Sequence, residues 1–291
     1  MAFDVTRVST KPRLLGVDLD GTLLDRNGQP HFRDVRAILA ALEAGVLVSI
    51  FTGRLYSGTR AVADLLGLTG AVACADGSHL VQAGSHATLL HLGVRGGDAA
   101  KLRSVLGRAR LAMFVFAKDA IGHDSLGMPF IGYVSTWSND VRMATDVLDH
   151  EFWRAEDGIT AVVALGPREQ IVRAVDEIVA ELPRAVMVAM FPLRRGPHVG
   201  TWALIVRAAG GTKGTALRWI AQNAGVQLAD TVCVGDWVND LPMFEVAGRS
   251  FAMGQAPDEV KSKATDVLAE TTEEGGGVAR AVAEAFGITT D

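Results

Sequence analysis

The chain has 291 residues, 49% of them hydrophobic and 21% charged, with a formal net charge of −5. That composition suits a globular protein with a sizeable core, and the length allows two domains. The acidic total without a dense Lys/Arg block argues against nucleic acid or an anionic membrane surface as partner, and no apolar run approaches the roughly 20 residues of a membrane-crossing helix.

Residues 1–13 lack the apolar stretch of a secretory leader, so a soluble cytoplasmic protein is expected. Cys74 and Cys233 lie in apolar strand-like runs and read as buried thiols; no Cys/His spacing suggests zinc. Nothing in the sequence sets the oligomeric state.

Leu14 to Val17 are apolar and end in Asp18-Leu19-Asp20-Gly21-Thr22, which reads as a buried parallel strand running into a loop. Residues i and i+2 of an extended chain point the same way, so Asp18 and Asp20 project together and need a metal ion, a cation or a shared proton. Phe32, Val35, Ile38, Leu39 and Leu42 recur at helical spacing, with Gly45 as the stop. Val46 to Phe51 is a second strand ending in Thr52-Gly53-Arg54. A helix over Ser57 to Leu66 follows, and a third strand over Ala71 to Ala75 ends in Asp76-Gly77. Alternating strands and helices with tight connections predict a parallel sheet whose chemistry gathers at the strands' carboxyl ends.

Between Leu80 and His198 the pattern changes. Helices are expected at Asp98 to Leu111, Val141 to Leu148 and Pro167 to Leu182. Strands are expected at Ala112 to Ala117, Thr160 to Leu165, Ala185 to Phe191 and Thr201 to Val206. This middle reads as a separate α/β domain inserted in the first. From Ala208 a loop leads to Lys213 and a helix over Thr215 to Ala224. A strand over Thr231 to Val234 then delivers Gly235-Asp236-Trp237-Val238-Asn239-Asp240. Two short strands and a helix over Gly277 to Phe286 close the chain.

Three carboxylates from two strands make a hard, oxygen-rich set that suits Mg²⁺. Thr52 and Gly53 offer a hydroxyl and backbone donors to an anion. Lys213 offers a cation at a helix start, another favourable place for phosphate. A Walker loop does not fit, because Thr212 rather than glycine precedes Lys213. His79, His86 and His91 lack ligand spacing.

These elements, in this order, resemble the four motifs of the haloacid dehalogenase-like phosphohydrolases: Asp18-Leu19-Asp20-Gly21-Thr22, Thr52-Gly53-Arg54, Lys213, and Gly235-Asp236-x-x-Asn239-Asp240. Ala252 to Ala256 and Glu274 to Ala279 resemble the family's closing segments. The insertion between Thr52 and Lys213 is similar to the layout of the Cof-type branch. The resemblance implies an α/β fold with a Rossmann-like parallel sheet, helices on both faces and an inserted α/β cap. It implies a catalytic core over 1–81 and 201–291 and a substrate-specificity cap over 82–200. The implied activity is Mg²⁺-dependent hydrolysis of small phosphate monoesters, such as sugar phosphates or nucleotide-like cofactors.

By the same resemblance, Asp18 is the nucleophile and Asp20 the general acid and base. Asp18, the Asp20 carbonyl and Asp236 hold the metal. Thr52, Gly53 and Lys213 hold phosphate, with Leu19 and Asn239 among the substrate contacts and Asp240 and Arg54 in support. Asp76 stands where Asn is frequent, and would add negative charge if it faces substrate; Gln255 also replaces a frequent Asn. Tyr133, Trp137, Arg194, Arg195 and His198 are cap candidates for substrate contact. A phosphotransferase or phosphomutase and a non-catalytic phosphometabolite-binding protein are the alternatives.

Overall fold

A computed structural model describes residues 13–193 and 197–290. Residues 1–12, Arg194 and Arg195 lie outside the described residues. The chain opens with β1 (Leu14–Asp18), α1 (Phe32–Glu43), β2 (Leu47–Phe51), α2 (Tyr56–Leu65) and β3 (Ala71–Cys74). A hairpin of β4 (His79–Gln82) and β5 (Ala87–His91) follows, then α3 (Gly96–Ala109), β6 (Ala112–Ala117) and β7 (Ala120–His123). Next come the short α4 (Ile131–Val134), β8 (Val141–Met143), β9 (Ala161–Gly166), α5 (Arg168–Glu181), β10 (Val186–Pro192) and β11 (Trp202–Ala208). The last stretch runs α6 (Lys213–Asn223), β12 (Thr231–Gly235), α7 (Leu241–Phe244), β13 (Arg249–Ala252), α8 (Asp258–Lys261), β14 (Asp266–Val267) and α9 (Gly277–Phe286).

Contacts divide the chain into two compact units, Met1–Ser49 with Leu217–Asp291, and Ile50–Ala216. In the first, strands run in the order β14-β13-β12-β1-β2. β1 and β12 pair in parallel from Leu14↔Thr231 to Val17↔Val234, and β13 and β14 continue the parallel run. Every residue of β1 and β12 is buried, as both faces of a helix-flanked parallel sheet demand. Asp34, buried on α1, accepts bonds from the Gly276 and Ala279 amides at 2.9 and 2.8 Å. Its carboxylate thereby satisfies N–H groups that the start of α9 would otherwise leave without acceptors.

In the second unit, the end of β2 pairs in parallel with β3, and β4 and β5 extend this sheet antiparallel. A six-stranded sheet has the order β10-β11-β9-β6-β7-β8. One of its faces is covered by α3 and α5, through Leu102, Leu106, Ile171 and Ile178 among others. The other carries Phe114, Phe116, Val163 and Ala203, packed with Leu55 and Ala75 from the segments after β2 and β3.

One expected element is corrected. Val141 to Leu148 is not a helix: Val141–Met143 forms β8, pairing in parallel with Ile121–His123, and Val147–Asp149 is a single 3₁₀ turn capped by Asp146. Burying strand β7 requires a ladder partner, and that tertiary demand overrides the helical spacing. The β4–β5 hairpin and β7 were not anticipated.

His79 and His91 are register partners on β4 and β5, with rings edge to face at 5.3 Å. Their Nε2 atoms are hydrogen-bonded to Thr88 and Thr160 hydroxyls, each at 2.9 Å. Burial, and then the neighbouring His91, push His79 from its ordinary 6.5 down to about 4, and burial lowers His91 as well. A histidine held below its unfolded value is kept neutral by folding. Its contribution to stability is complete above pH 6.5 and is lost as pH falls from there toward 4. A loss of up to about 3 kcal/mol is expected from His79. Urea midpoints between pH 7.5 and 4.5 should fall steeply for the wild type and less steeply for His79→Asn. Equal slopes would refute this account.

Candidate active site

β1 delivers Asp18, 5% exposed, to its carboxyl end, and the parallel pairing brings the end of β12 alongside. One carboxylate oxygen from each of Asp18, Asp236 and Asp240 lies within 4.8 Å of the others. Three carboxylates this close repel one another unless a cation compensates them, and an all-oxygen set is the donor chemistry of Mg²⁺. The residues present therefore fit a divalent hard cation.

The loop geometry explains how they converge. Leu19 is buried, and its carbonyl accepts bonds from the Thr22, Leu23 and Leu24 amides at 3.2, 3.0 and 2.8 Å, curling the chain tightly after β1. Gly21 sits at φ +90°, and a Cβ there would lie 2.4 Å from Asp236 Oδ2. Glycine is thus required both for the backbone conformation and for the close approach of the Asp236 carboxylate. Asp240 is fully buried, and its Oδ2 accepts bonds from the Asp236 and Trp237 amides, each at 2.9 Å. It fixes the turn that presents Asp236, and Asn239 lies half-buried in the same turn. Asp20 is exposed and its side chain is not part of the three-carboxylate group.

Two further residues hold the first loop. Gln255 Nε2 donates to the Gly21 carbonyl at 2.5 Å, and the Thr272 hydroxyl donates to the same oxygen. Gln255 and Thr272 are also bonded to each other, with the Thr272 amide reaching Gln255 Oε1 at 3.1 Å. Gln255 was visible in the sequence as a departure, whereas Thr272 carries no local signal. Its role depends on a contact far away along the chain.

In the second unit, Thr52 is fully buried immediately after β2. Its amide donates to the Ala73 carbonyl and its carbonyl accepts from the Asp76 amide, both at 2.8 Å, while its hydroxyl accepts from the Arg54 amide at 3.1 Å. The Arg54 guanidinium reaches the Gly58 carbonyl at 3.2 Å. Lys213 opens α6 and is fully buried. Thr212 and Thr215 bond reciprocally at this helix start, amide to hydroxyl at 3.0 and 3.1 Å, forming a capping box that fixes the position of Lys213. A Cβ on Gly77, at φ +97°, would meet the Thr212 carbonyl at 2.3 Å, so the turn after β3 packs directly on this loop.

Asp76 is buried and ion-paired with Arg207 of β11. Its negative charge, expected from the sequence as a change to the site, is thus met by a guanidinium. Burial lowers Arg207 to about 10, which leaves it cationic at neutral pH. Sequence reasoning did not single out Arg207. Of the cap candidates, the Tyr133 ring lies tilted against Trp137 at 5.2 Å and the His198 ring tilted against Phe130 at 4.5 Å; burial pushes the Tyr133 hydroxyl up to about 12. Among the described residues, no helix is long and apolar enough to cross a membrane.

A family model described as haloacid dehalogenase-like hydrolase matches residues 15–282. The chain is 26% identical over 289 residues to the 5-amino-6-(5-phospho-D-ribitylamino)uracil phosphatase of Bacillus subtilis, covering 90% of this chain and 95% of that protein. It is 25% identical to the pyridoxal phosphate phosphatase of Escherichia coli, covering 89% and 94%. A haloacid dehalogenase-like hydrolase structure from Bacteroides thetaiotaomicron superposes with a TM-score of 0.80 at 21% identity, covering 95% and 100%. The fold, the carboxylate cluster at the ends of β1 and β12, and a match over nearly the whole chain lead to one conclusion: this protein belongs to the haloacid dehalogenase-like hydrolase family, in its Cof-type branch, and is a hydrolase of phosphate monoesters.

Proposed function

We propose that the protein is a Mg²⁺-dependent phosphatase of small phosphorylated metabolites that works through an aspartyl-phosphate. The observation that carries this reading is the convergence of Asp18, Asp236 and Asp240 within 4.8 Å. In this reading the Asp18 carboxylate attacks phosphorus, forming the acyl phosphate as the leaving alkoxide departs. Asp20, exposed and outside the carboxylate cluster, protonates that alkoxide and then takes a proton from the water that attacks the acyl phosphate. Thr52, Gly53 and Lys213 hold phosphate oxygens, with Leu19 and Asn239 as further contacts and Arg54 and Asp240 as loop supports. Asp18, the Asp20 carbonyl and Asp236 would hold Mg²⁺. The bound ion supplies positive charge that screens nucleophile from phosphate and stabilises the charge on the transferring group.

Residues 82–200 are read as the cap that selects substrate and 1–81 with 201–291 as the catalytic core. Relatives named for a ribityl phosphate and for pyridoxal phosphate support a small phosphorylated metabolite as substrate. Phosphate release from a panel of sugar, polyol, nucleotide and cofactor phosphates tests the reading. Release is expected with Mg²⁺ and should be abolished by EDTA. Release at an equal rate in EDTA would overturn the metal requirement.

A further inference from the structure

β11 alternates between two cores. Leu204, Val206 and Ala208 belong to the face covered by α3 and α5, whereas Ala203 and Ile205 belong to the opposite face with Leu55, Ala75 and Phe116. Arg207 shares the parity of Ala203 and Ile205, so it is a guanidinium on an otherwise apolar and aromatic face. Its Nη1 bonds the Asp76 carboxylate.

Asp76 is held in an uncommon conformation. Ala75 and Asp76 both have positive φ, +48° and +53°, which costs a side-chain-bearing residue energy. The segment is fastened by the Ala75 amide on the Arg54 carbonyl and the Asp76 amide on the Thr52 carbonyl, both at 2.8 Å. Strain retained under such constraint points to function. The position explains which function: Asp76 Oδ1 lies 3.4 Å from where a Cβ on Gly53 would be. The carboxylate therefore sits beside a loop that the phosphatase reading assigns to phosphate.

We propose that Asp76 and Arg207 are a specificity-determining pair, selecting phosphate esters with an uncharged, hydroxyl-bearing leaving group over esters carrying a further anionic group. The inference rests on the phosphatase reading above. A carboxylate beside the phosphate loop repels a second anion on the substrate, and its pairing with Arg207 keeps the guanidinium from drawing one in. The guanidinium has five N–H donors and the carboxylate several acceptor sites, so the pair can both give and accept hydrogen bonds, as a hydroxyl requires. A lone guanidinium would instead favour a second carboxylate or phosphate.

The test measures kcat/KM on matched esters of one skeleton, a sugar or polyol phosphate and its carboxylate-bearing counterpart, for wild type, Asp76→Asn, Arg207→Gln and the double variant. The wild type is expected to prefer the uncharged ester about tenfold or more. Asp76→Asn should reduce that preference at least tenfold, mainly by improving the anionic ester. Arg207→Gln should lower both esters and keep or widen the preference. Should Asp76→Asn fail to fold around its unmatched guanidinium, the double variant carries neither charge and should show a preference at least threefold weaker than wild type. A preference unchanged within twofold in the folded variants overturns the inference and leaves the phosphatase reading standing. Turnover of no ester by the wild type overturns both.

Discussion

Asp18→Asn is expected to abolish turnover while leaving the fold intact. Asp18 ends β1 with 5% of its surface exposed, and asparagine matches its size. The amide cannot attack phosphorus, so a loss of about 10³-fold or more in kcat is expected, with whatever remains due to binding and charge. The same change removes one negative charge from three carboxylates within 4.8 Å, so thermal stability without metal should be unchanged or higher. Phosphate release and a thermal melt on the same preparation separate the two effects. A folded Asp18→Asn protein with full activity would sink the nucleophile assignment.

Asp236→Ala is expected to have the second largest effect. Asp236 presses against the Gly21 backbone, and its loop is set by the two amide bonds to Asp240. Alanine leaves those backbone bonds available, so the loop should persist while a carboxylate is removed from the cation site. An activity loss of about 10²-fold or more is expected, partly recovered at high Mg²⁺, since a lost ligand weakens metal binding before it changes the chemistry. A Mg²⁺ titration of activity alongside calorimetric Mg²⁺ binding checks this. Unchanged Mg²⁺ affinity in the variant would remove Asp236 from the metal site. Asp240→Ala differs in kind, because it strips the acceptor from the Asp236 and Trp237 amides and should destabilise the turn itself.

The local elements were readable wherever hydrophobic periodicity and turn residues agreed. Gly277–Phe286 is helical over the expected span, and α1 and α5 differ from expectation by one residue or so at their ends. Apolar runs ending abruptly in Asp18 and Gly235-Asp236 marked strands delivering carboxylates, because a buried strand tolerates a charge only where it leaves the sheet. Reading failed where a segment's state depends on a distant partner. β8 exists as a ladder partner for β7, and the buried carboxylate of Asp34 on α1 has its donors only because α9 places its first amides against it.

By itself, the sequence determined the alternation of strands and helices from β1 to β3, the parallel α/β class and the residue types available for phosphate chemistry. These depend on side-chain period and on turn preferences that act within a few residues. Tertiary structure alone decided that Asp240 spends its carboxylate on backbone amides, that Gln255 and Thr272 hold the Gly21 carbonyl, and that Asp76 faces Arg207. Each of these pairs a buried polar group with a partner that only the folded chain supplies. Burial makes the partner obligatory, and local sequence cannot reveal which residue it is.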